Sequence, residues 1–169
     1  GEENEITKGA LMTFQDEHGL EVDGLAGPEV WKELMEAAIA GERKAEAGYN
    51  YVYVSESLPE KVRVFHDGKV VEESAANTGI PGAETERGTF PVFLRYEETT
   101  MSGENPDGSH YVDPGIMWVS YFNGGDALHA FDRASYGTPQ SVGCVEMPLE
   151  NAAAIWPLTP IGTLVTIGD

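Results

Sequence analysis

The residues best suited to chemistry in this chain are a cysteine and a histidine that stand fifteen positions apart, Cys144 and His129. Cys144 is the only cysteine in the sequence, and His129 is one of four histidines. A thiol attacks carbonyl groups as its thiolate, and a neighbouring imidazole is the usual base that removes its proton. The pair therefore indicates cysteine acyl transfer, although a buried structural thiol is the commoner explanation for an arbitrary cysteine and histidine.

The residues around the thiol favour the chemical interpretation. Gly143 directly precedes Cys144 and has no side chain, so the backbone there can come close to a bound carbonyl group. The amide groups of Val142, Gly143 and Cys144 could then stabilise the oxyanion that forms during acyl transfer.

Two helices are predicted at the start of the chain. Residues 4–18 carry apolar side chains at helical spacing and are followed by Gly19, a residue typical of helix ends. Pro28 suits the first position of a second helix, which stops at Gly41. Residues 42–49 have no apolar period and are predicted to be a linker.

The pattern of the remaining residues predicts strands separated by turns, without alternation of strands and helices. His129 falls on or at the end of a strand, which is a rigid mount for a base. About eight strands and three short helices predict a mainly β fold, a sandwich or barrel with a helical appendage. The predicted strands named by their residues are 51–54, 61–65, 69–72, 88–96, 116–122, 127–130 and 162–167, and a short helix is predicted over 149–156.

A polar segment rich in glycine and proline, residues 97–115, has no clear periodicity. We predict a loop there, and a loop of this length in a compact domain is more often a lid or substrate wall than accidental. His110 and Tyr111 lie in it and are candidates for contact with substrate.

Composition excludes several functions. The net charge is −19, from 10 Lys and Arg against 29 Asp and Glu, which disfavours binding to nucleic acid or anionic lipid. A single cysteine excludes an internal disulfide and a cysteine-based zinc site, and the histidines show no metal-binding spacing. We therefore expect no metal and no cofactor. No run approaches the roughly 18 apolar residues of a membrane helix.

The N-terminal segment resembles a known module. Phe14-Gln15, Gly19-Leu20, Val22-Asp23-Gly24 and Gly27-Pro28, followed by Trp31 and Leu34, occur in the order of the peptidoglycan-binding helical domain. That module normally has three helices, and the leading one is not found here. The resemblance predicts a partial peptidoglycan-binding domain over residues 1–41.

The remaining residues, 50–169, resemble the L,D-transpeptidase catalytic domain of the YkuD family. That family's motif is a histidine, a variable loop, and Ser/Thr-His-Gly-Cys followed by a hydrophobic residue and usually Arg or Asn. His129 and Ser141-Val142-Gly143-Cys144-Val145-Glu146 follow this order. Asn77-Thr78-Gly79 and Thr85 to Phe90 lie upstream as expected. The resemblance implies an L,D-transpeptidase-like β-sandwich or barrel.

The resemblance also implies a function, the formation of 3→3 cross-links between peptidoglycan stem peptides. Cys144 would be the nucleophile, His129 the proton donor and acceptor, and Gly143 part of a backbone oxyanion hole. Ser141 would support the loop by hydrogen bonds, or be an ordinary turn residue. Carbapenems are then expected covalent inhibitors. The location would be extracytoplasmic, associated with the cell wall or secreted, although no signal is visible in these residues.

Two departures from the motif, Val142 and Glu146, mark positions where substrate handling could differ. The usual second histidine is absent at Val142, and Glu146 could orient a neighbour or attract a cationic amine acceptor. Tyr121 and Phe122 are further candidates to line the substrate pocket, with core packing as the alternative. Ala130 offers only its backbone to a catalytic set. Asp126 and Asp132 are candidates for the third member of that set, with a role as turn residues as the alternative.

Two rival functions remain open at this point. One is an L,D-carboxypeptidase or endopeptidase, in which water replaces the amine acceptor. The other is a non-catalytic wall-binding protein, which the two departures favour and the retained cysteine, histidine and glycine oppose. A papain-like peptidase places its cysteine before its histidine, so the order found here counts against it.

Overall fold

The computed structural model describes residues 4–42 and 48–169. Residues 43–47 of the predicted linker therefore lie outside the described residues. Two helices come first, α1 (Glu5–Glu17) and α2 (Pro28–Ala40). The side chain of Asn4 accepts a hydrogen bond from the Thr7 amide at 2.9 Å and so caps α1. Pro28 begins α2 and Gly41 ends it in the left-handed conformation, as predicted.

The helix α1 packs directly against the β part of the chain. A Cβ atom on Gly9 would lie 2.6 Å from the carbonyl oxygen of Gly162, so only glycine permits this approach. The Thr13 hydroxyl donates to the carbonyl oxygens of Gly9 and Ile161 at 3.0 and 3.1 Å. The first helix is therefore docked by close backbone contact as well as by apolar burial.

Nine strands lie within the described residues: β1 (Asn50–Ser55), β2 (Lys61–His66), β3 (Lys69–Ala75), β4 (Gly88–Pro91), β5 (Leu94–Glu104), β6 (His110–Asn123), β7 (Asp126–Ala130), β8 (Val145–Met147) and β9 (Leu164–Gly168). They form two sheets in the orders β3-β2-β1-β9-β4 and β5-β6-β7-β8. A third helix, α3 (Leu149–Ile155), and a 3₁₀ turn (Trp156–Leu158) connect β8 to β9.

The main core lies between the two sheets. Alternate residues of β1 and β2 are valines that pair across the strands, Val52 with Val64 and Val54 with Val62, and all four are fully buried. From the second sheet, Phe122, Leu128, Ala130 and Met147 join the same cluster. The predicted mainly β, two-sheet fold with N-terminal helices is confirmed.

A tight turn joins β2 to β3, and one predicted strand is organised differently. Asp67 and Gly68 both have positive φ and join β2 to β3, as a two-residue hairpin turn requires. The predicted strand 88–96 is divided, because the chain leaves the first sheet after Pro91 and enters the second at Leu94. Pro91 lies on β4, an edge strand, as its missing N–H demands.

The prediction of a loop over residues 97–115 is wrong. The strands β5 and β6 pair from Leu94 opposite Tyr121 out to Glu104 opposite His110, so only residues 105–109 form a turn. The hairpin's outer part is largely exposed, and few of its side chains, such as Met101 and Ile116, are buried. A strand that buries so little lacks the apolar alternation by which strands are recognised in sequence. No helix among residues 4–42 and 48–169 is long and apolar enough to cross a membrane.

Candidate active site

The strands β7 and β8 place the predicted pair side by side. His129 lies within β7, as predicted, and Cys144 comes one residue before β8. The two strands are parallel, with Leu128 opposite Val145 and His129 opposite Glu146. Adjacent strands are about 4.8 Å apart, so histidine and cysteine are held on neighbouring rigid elements.

Both side chains line one cavity of about 290 Å³. A cavity of this size is at the lower limit of those that hold small ligands. Of the candidates from the sequence, Tyr111, Ser141, Val142 and Glu146 lie on the same wall. Asp113 and Arg133 also line it. Neither belongs to the cysteine motif, so their spacing in the sequence does not indicate this position.

His129 is held as a neutral base. Its side chain is 3% exposed, and burial lowers the pKa of the imidazole below its usual value of 6.5. Its Nδ1 lies 2.9 Å from the carbonyl oxygen of Ala130, which can only accept a hydrogen bond. The proton is thereby assigned to Nδ1, and Nε2 is left with its lone pair. Among the described residues, the hydrogen-bond partner of Nδ1 is therefore a backbone carbonyl group and not Asp126 or Asp132.

Cys144 is held as a thiol. Its Sγ donates a long hydrogen bond of 3.6 Å to the carbonyl oxygen of Gly125. Burial raises the pKa of Cys144 to about 12, and the negative charges of Asp126 and Glu146 add to this effect. In the described residues no hydrogen bond joins the thiol to His129. The resting pair is therefore thiol and neutral imidazole, and proton transfer requires the thiol to leave Gly125.

The loop before the thiol is fixed through its carbonyl groups. The Ser141 hydroxyl donates to the Cys144 carbonyl oxygen at 2.5 Å, and the Thr85 hydroxyl donates to that of Gly143 at 2.7 Å. In the described part of the chain, the N–H groups of residues 142–144 donate to none of the loop carbonyls. A loop with bound carbonyls and available N–H groups is what an oxyanion hole requires.

Glycine is required at position 143 because of its backbone conformation and because Asp126 lies close to it. Its φ is +109°, a region that side-chain-bearing residues rarely adopt. A Cβ atom there would also overlap Oδ1 of Asp126, at the start of β7. Burial, together with the charge of Glu86, raises the pKa of Asp126 to about 6. Asp126 therefore contacts the loop before the thiol, and its charge acts on Cys144.

Glu146 does not present a free carboxylate to the cavity. It is 4% exposed, and both its oxygens accept hydrogen bonds from Arg133, at 2.8 Å from Nε and 2.7 Å from Nη2. The guanidinium also lies over the ring of Phe131, 4.6 Å from its centroid. Of the two suggested roles for Glu146, orienting a neighbour fits this geometry, and attracting a free amine does not.

The two aromatic candidates, Tyr121 and Phe122, lie on opposite faces of β6. Phe122 is 2% exposed and belongs to the core between the sheets, so the expectation that it lines the pocket is corrected. The neighbouring Tyr121 points to the other face of β6, because side chains alternate along a strand. There it packs in the small cluster that includes Cys144. No group of three or more metal-binding side chains occurs among the described residues.

Two family models match this chain. The model of the L,D-transpeptidase catalytic domain (YkuD) matches residues 49–167, and that of the "Putative peptidoglycan binding domain" matches residues 1–34. No curated protein matches the chain.

Three solved structures have similar folds. The catalytic domain of the Enterococcus faecium L,D-transpeptidase is 25% identical, with a TM-score of 0.64 over 73% of this chain and 99% of that one. L,D-transpeptidase 3 of Mycobacterium tuberculosis is 17% identical, with a TM-score of 0.65 over 72% and 62%. An L,D-transpeptidase from Mycobacterium smegmatis is 21% identical, with a TM-score of 0.63 over 71% and 58%.

The chain thus spans less than two thirds of the length of either mycobacterial protein. The catalytic-domain model, however, matches well over half of this chain, including both sheets and the cavity that His129 and Cys144 line. The chain belongs to the L,D-transpeptidase (YkuD) catalytic-domain family.

Proposed function

We propose that this protein is a cysteine-dependent L,D-transpeptidase that forms 3→3 cross-links between peptidoglycan stem peptides through a thioacyl-enzyme. One observation carries the proposal. Cys144, one residue before β8, and His129, on the adjacent parallel strand β7, line one cavity, and the hydrogen bond at Nδ1 leaves Nε2 of the imidazole free to accept a proton. Family membership supports the reaction class.

In the first step, Cys144 attacks the carbonyl carbon of the diamino acid at stem position three. Nε2 of His129 accepts the thiol proton as the S–C bond forms. The resulting oxyanion is bound by the N–H groups of Gly143 and Cys144. Collapse breaks the bond to the terminal D-alanine, and the imidazolium returns its proton to the departing amine.

In the second step, a neutral amine of a second stem peptide attacks the thioester. His129 now accepts a proton from the attacking nitrogen and delivers it to the departing sulfur. The raised pKa of Cys144 makes this proton transfer important, because the thiol is the stable resting form. The products are the cross-linked peptide and the enzyme in its starting protonation state.

We assign residues 1–41 as a partial peptidoglycan-binding segment, 42–49 as a linker and 50–169 as the catalytic domain. The match of the N-terminal residues to a peptidoglycan-binding family supports a wall substrate. The cell wall is therefore the proposed place of action, outside the cytoplasmic membrane.

We propose β-lactams, carbapenems above all, as covalent ligands of Cys144. A solved relative, L,D-transpeptidase 3 of Mycobacterium tuberculosis, is described in complex with a faropenem-derived adduct, and another, LdtMt1, in complex with imipenem. The first test is intact-protein mass after incubation with a carbapenem. We expect one adduct on the native chain and none on Cys144→Ala, which removes the only thiol. A folded native protein that forms no adduct near neutral pH would contradict the enzyme assignment.

A second experiment separates transferase from hydrolase. The protein is incubated with a disaccharide-tetrapeptide, and the products are separated by mass. Cross-linked dimers with loss of D-alanine would support transpeptidation. Tripeptide alone would instead identify an L,D-carboxypeptidase with the same nucleophile.

A further inference from the structure

Arg133 is the only lysine or arginine side chain, in the described part of the protein, on the wall of the cavity that holds His129 and Cys144. The whole chain has only 10 basic residues against 29 acidic ones. Arg133 does not belong to the cysteine motif, and the reaction steps above do not use it. A cation in this position is therefore unexplained by the chemistry of the nucleophile and its base.

The guanidinium of Arg133 is oriented by three groups. Its Nε and Nη2 donate to the two oxygens of Glu146, and Nη2 also donates to the carbonyl oxygen of Gln140 at 3.2 Å. The ring of Phe131 covers one face. Such a planar, bidentate arrangement holds the remaining N–H groups in fixed directions.

One nitrogen of the guanidinium is left without a protein partner. Among the described residues, no acceptor is bound by Nη1, and the Arg133 side chain is 30% exposed. Asp113, on the same wall, acts on Arg133 electrostatically without a hydrogen bond to it. Nη1 can therefore donate two charge-assisted hydrogen bonds to a ligand in the cavity.

The location of Arg133 matches a peptide bound at the thiol. Cys144 and Glu146 are two residues apart, so their side chains lie on one face of the sheet, roughly 7 Å from each other. The guanidinium lies beside Glu146. Since an extended peptide advances about 3.5 Å per residue, a group one or two residues from the scissile carbonyl can reach it.

We propose that Arg133 is a specificity-determining residue that binds a carboxylate of the donor peptide, and that Glu146 positions it. The inference rests on the proposed function and names what the cavity recognises. The carboxylate can belong to the C-terminal residue that departs or to the side chain of the diamino acid at position three. Under this proposal Glu146, the acidic residue in the cysteine motif, positions the cation Arg133.

Binding in a Cys144→Ala background tests the proposal without requiring turnover. Calorimetric titration would use the tetrapeptide L-Ala-γ-D-Glu-diaminopimelate-D-Ala, its C-terminal amide, and its analogue with lysine at position three. We expect at least one modified peptide to bind roughly ten- to a hundredfold more weakly, as for loss of a hydrogen bond to a charged group. Weaker binding of the amide would identify the C-terminal carboxylate as the group that Arg133 binds. Weaker binding of the lysine peptide would identify the side-chain carboxylate instead.

The variant must remove the cation without leaving Glu146 buried and unpaired. Arg133→Gln combined with Glu146→Gln keeps two polar partners and removes both charges. We expect this double variant to bind the three peptides with affinities that differ by less than about threefold. Arg133→Lys keeps the charge but loses the fork, and we expect it to retain only part of the preference.

Two outcomes would overturn the proposal: equal binding of all three peptides to the parent protein, or a folded double variant that keeps the preference. Folding is checked by thermal denaturation of each variant. The proposed function is judged separately, by dimer formation with the native enzyme. If the native enzyme forms cross-linked peptide dimers but the three peptides bind equally, only this proposal is overturned. If the preference depends on Arg133 but the native enzyme shows no turnover, only the proposed function is overturned.

Discussion

Asp126 lies directly against Gly143, the residue before the thiol, so closely that a Cβ atom on residue 143 would overlap Asp126 Oδ1. Gly143 also has a φ of +109°. Gly143→Ala therefore meets two obstacles, and we expect a loss of stability of about 1–3 kcal/mol from the backbone alone. The melting temperature would fall by roughly 3–10 °C, and carbapenem acylation of Cys144 would slow.

Gly143→Ala combined with Asp126→Ala separates the two obstacles. The double variant removes the overlap but keeps the unfavourable φ. We expect it to recover part of the lost melting temperature. A single variant that melts and acylates like the native protein would show that the loop can relax.

The charge of Asp126 also acts on the thiol, because it raises the pKa of Cys144. Asp126→Asn removes that charge, so we expect the pKa of Cys144 to fall and the thiolate fraction at a given pH to rise. The pH profile of iodoacetamide alkylation would shift to lower pH. A profile that stays in place or moves to higher pH would contradict the assigned direction.

Asp126 should also make folding stability depend on pH. Its pKa is raised from 3.8 to about 6, so the folded state binds this proton more tightly than the unfolded chain. The resulting stabilisation is fully present below pH 3.8 and is lost as the pH rises through 6. Urea unfolding at pH 4.5 and pH 8 should therefore show Asp126→Asn gaining stability relative to the native protein at the higher pH.

His129 is predicted to remain a competent base in mildly acidic solution. Burial lowers the pKa of its imidazole, so the neutral form persists below pH 6.5. The acid limb of the acylation rate should lie below that value. We expect His129→Gln to lower the acylation rate by roughly 10²–10⁴-fold, the usual contribution of a general base. Retention of the native rate and pH profile by this variant would exclude His129 as the base.

Glu60 supports the active-site loop from behind. It is fully buried and accepts hydrogen bonds from the amide and hydroxyl of Thr78, at 2.7 and 2.8 Å. The carbonyl oxygen of Thr78 in turn accepts from the amides of Gln140 and Ser141. Glu60→Ala leaves the Thr78 amide without its partner, and we expect a loss of about 1–3 kcal/mol in urea unfolding.

Glu60→Gln is the matched control, because its amide can still accept one hydrogen bond and donate the other. Burial raises the pKa of Glu60, so its stabilising contribution is greatest at low pH and declines as the carboxyl ionises. We expect Glu60→Gln to be closest to the native stability, or above it, at alkaline pH. Equal losses for both variants at all pH values would mean that the hydrogen bonds are unimportant.

The docking of α1 depends on Gly9. Alanine there would favour the helix but would place its Cβ 2.6 Å from the Gly162 carbonyl oxygen, against rigid backbone. We expect Gly9→Ala to weaken the contact and to increase hydrogen exchange across Glu5–Glu17. Gly27→Ala, where a Cβ meets open space, is the control and should leave exchange in α1 nearly unchanged.

Much of the fold could be predicted because local patterns are strong where burial is one-sided. The alternating valines of β1 and β2, the Asp67-Gly68 turn and the Pro28 and Gly41 helix limits follow from short-range sterics and periodicity. The hairpin of β5 and β6 could not, since its outer strands are held by each other's backbone hydrogen bonds with little apolar burial. Backbone hydrogen bonds between strands do not require particular side chains, so the sequence does not reveal them.

The family, the order of histidine, glycine and cysteine, and the strand that carries His129 could be predicted, because they depend on residue type and local spacing. The partners of the site residues follow from the tertiary structure: Ala130 for the imidazole, Gly125 for the thiol, Asp126 for Gly143 and Arg133 for Glu146. The tertiary structure also shows that Phe122 belongs to the core between the sheets. Hydrogen bonds, ion pairs and burial between distant residues depend on how the two sheets and the loops come together, and composition and spacing do not record that.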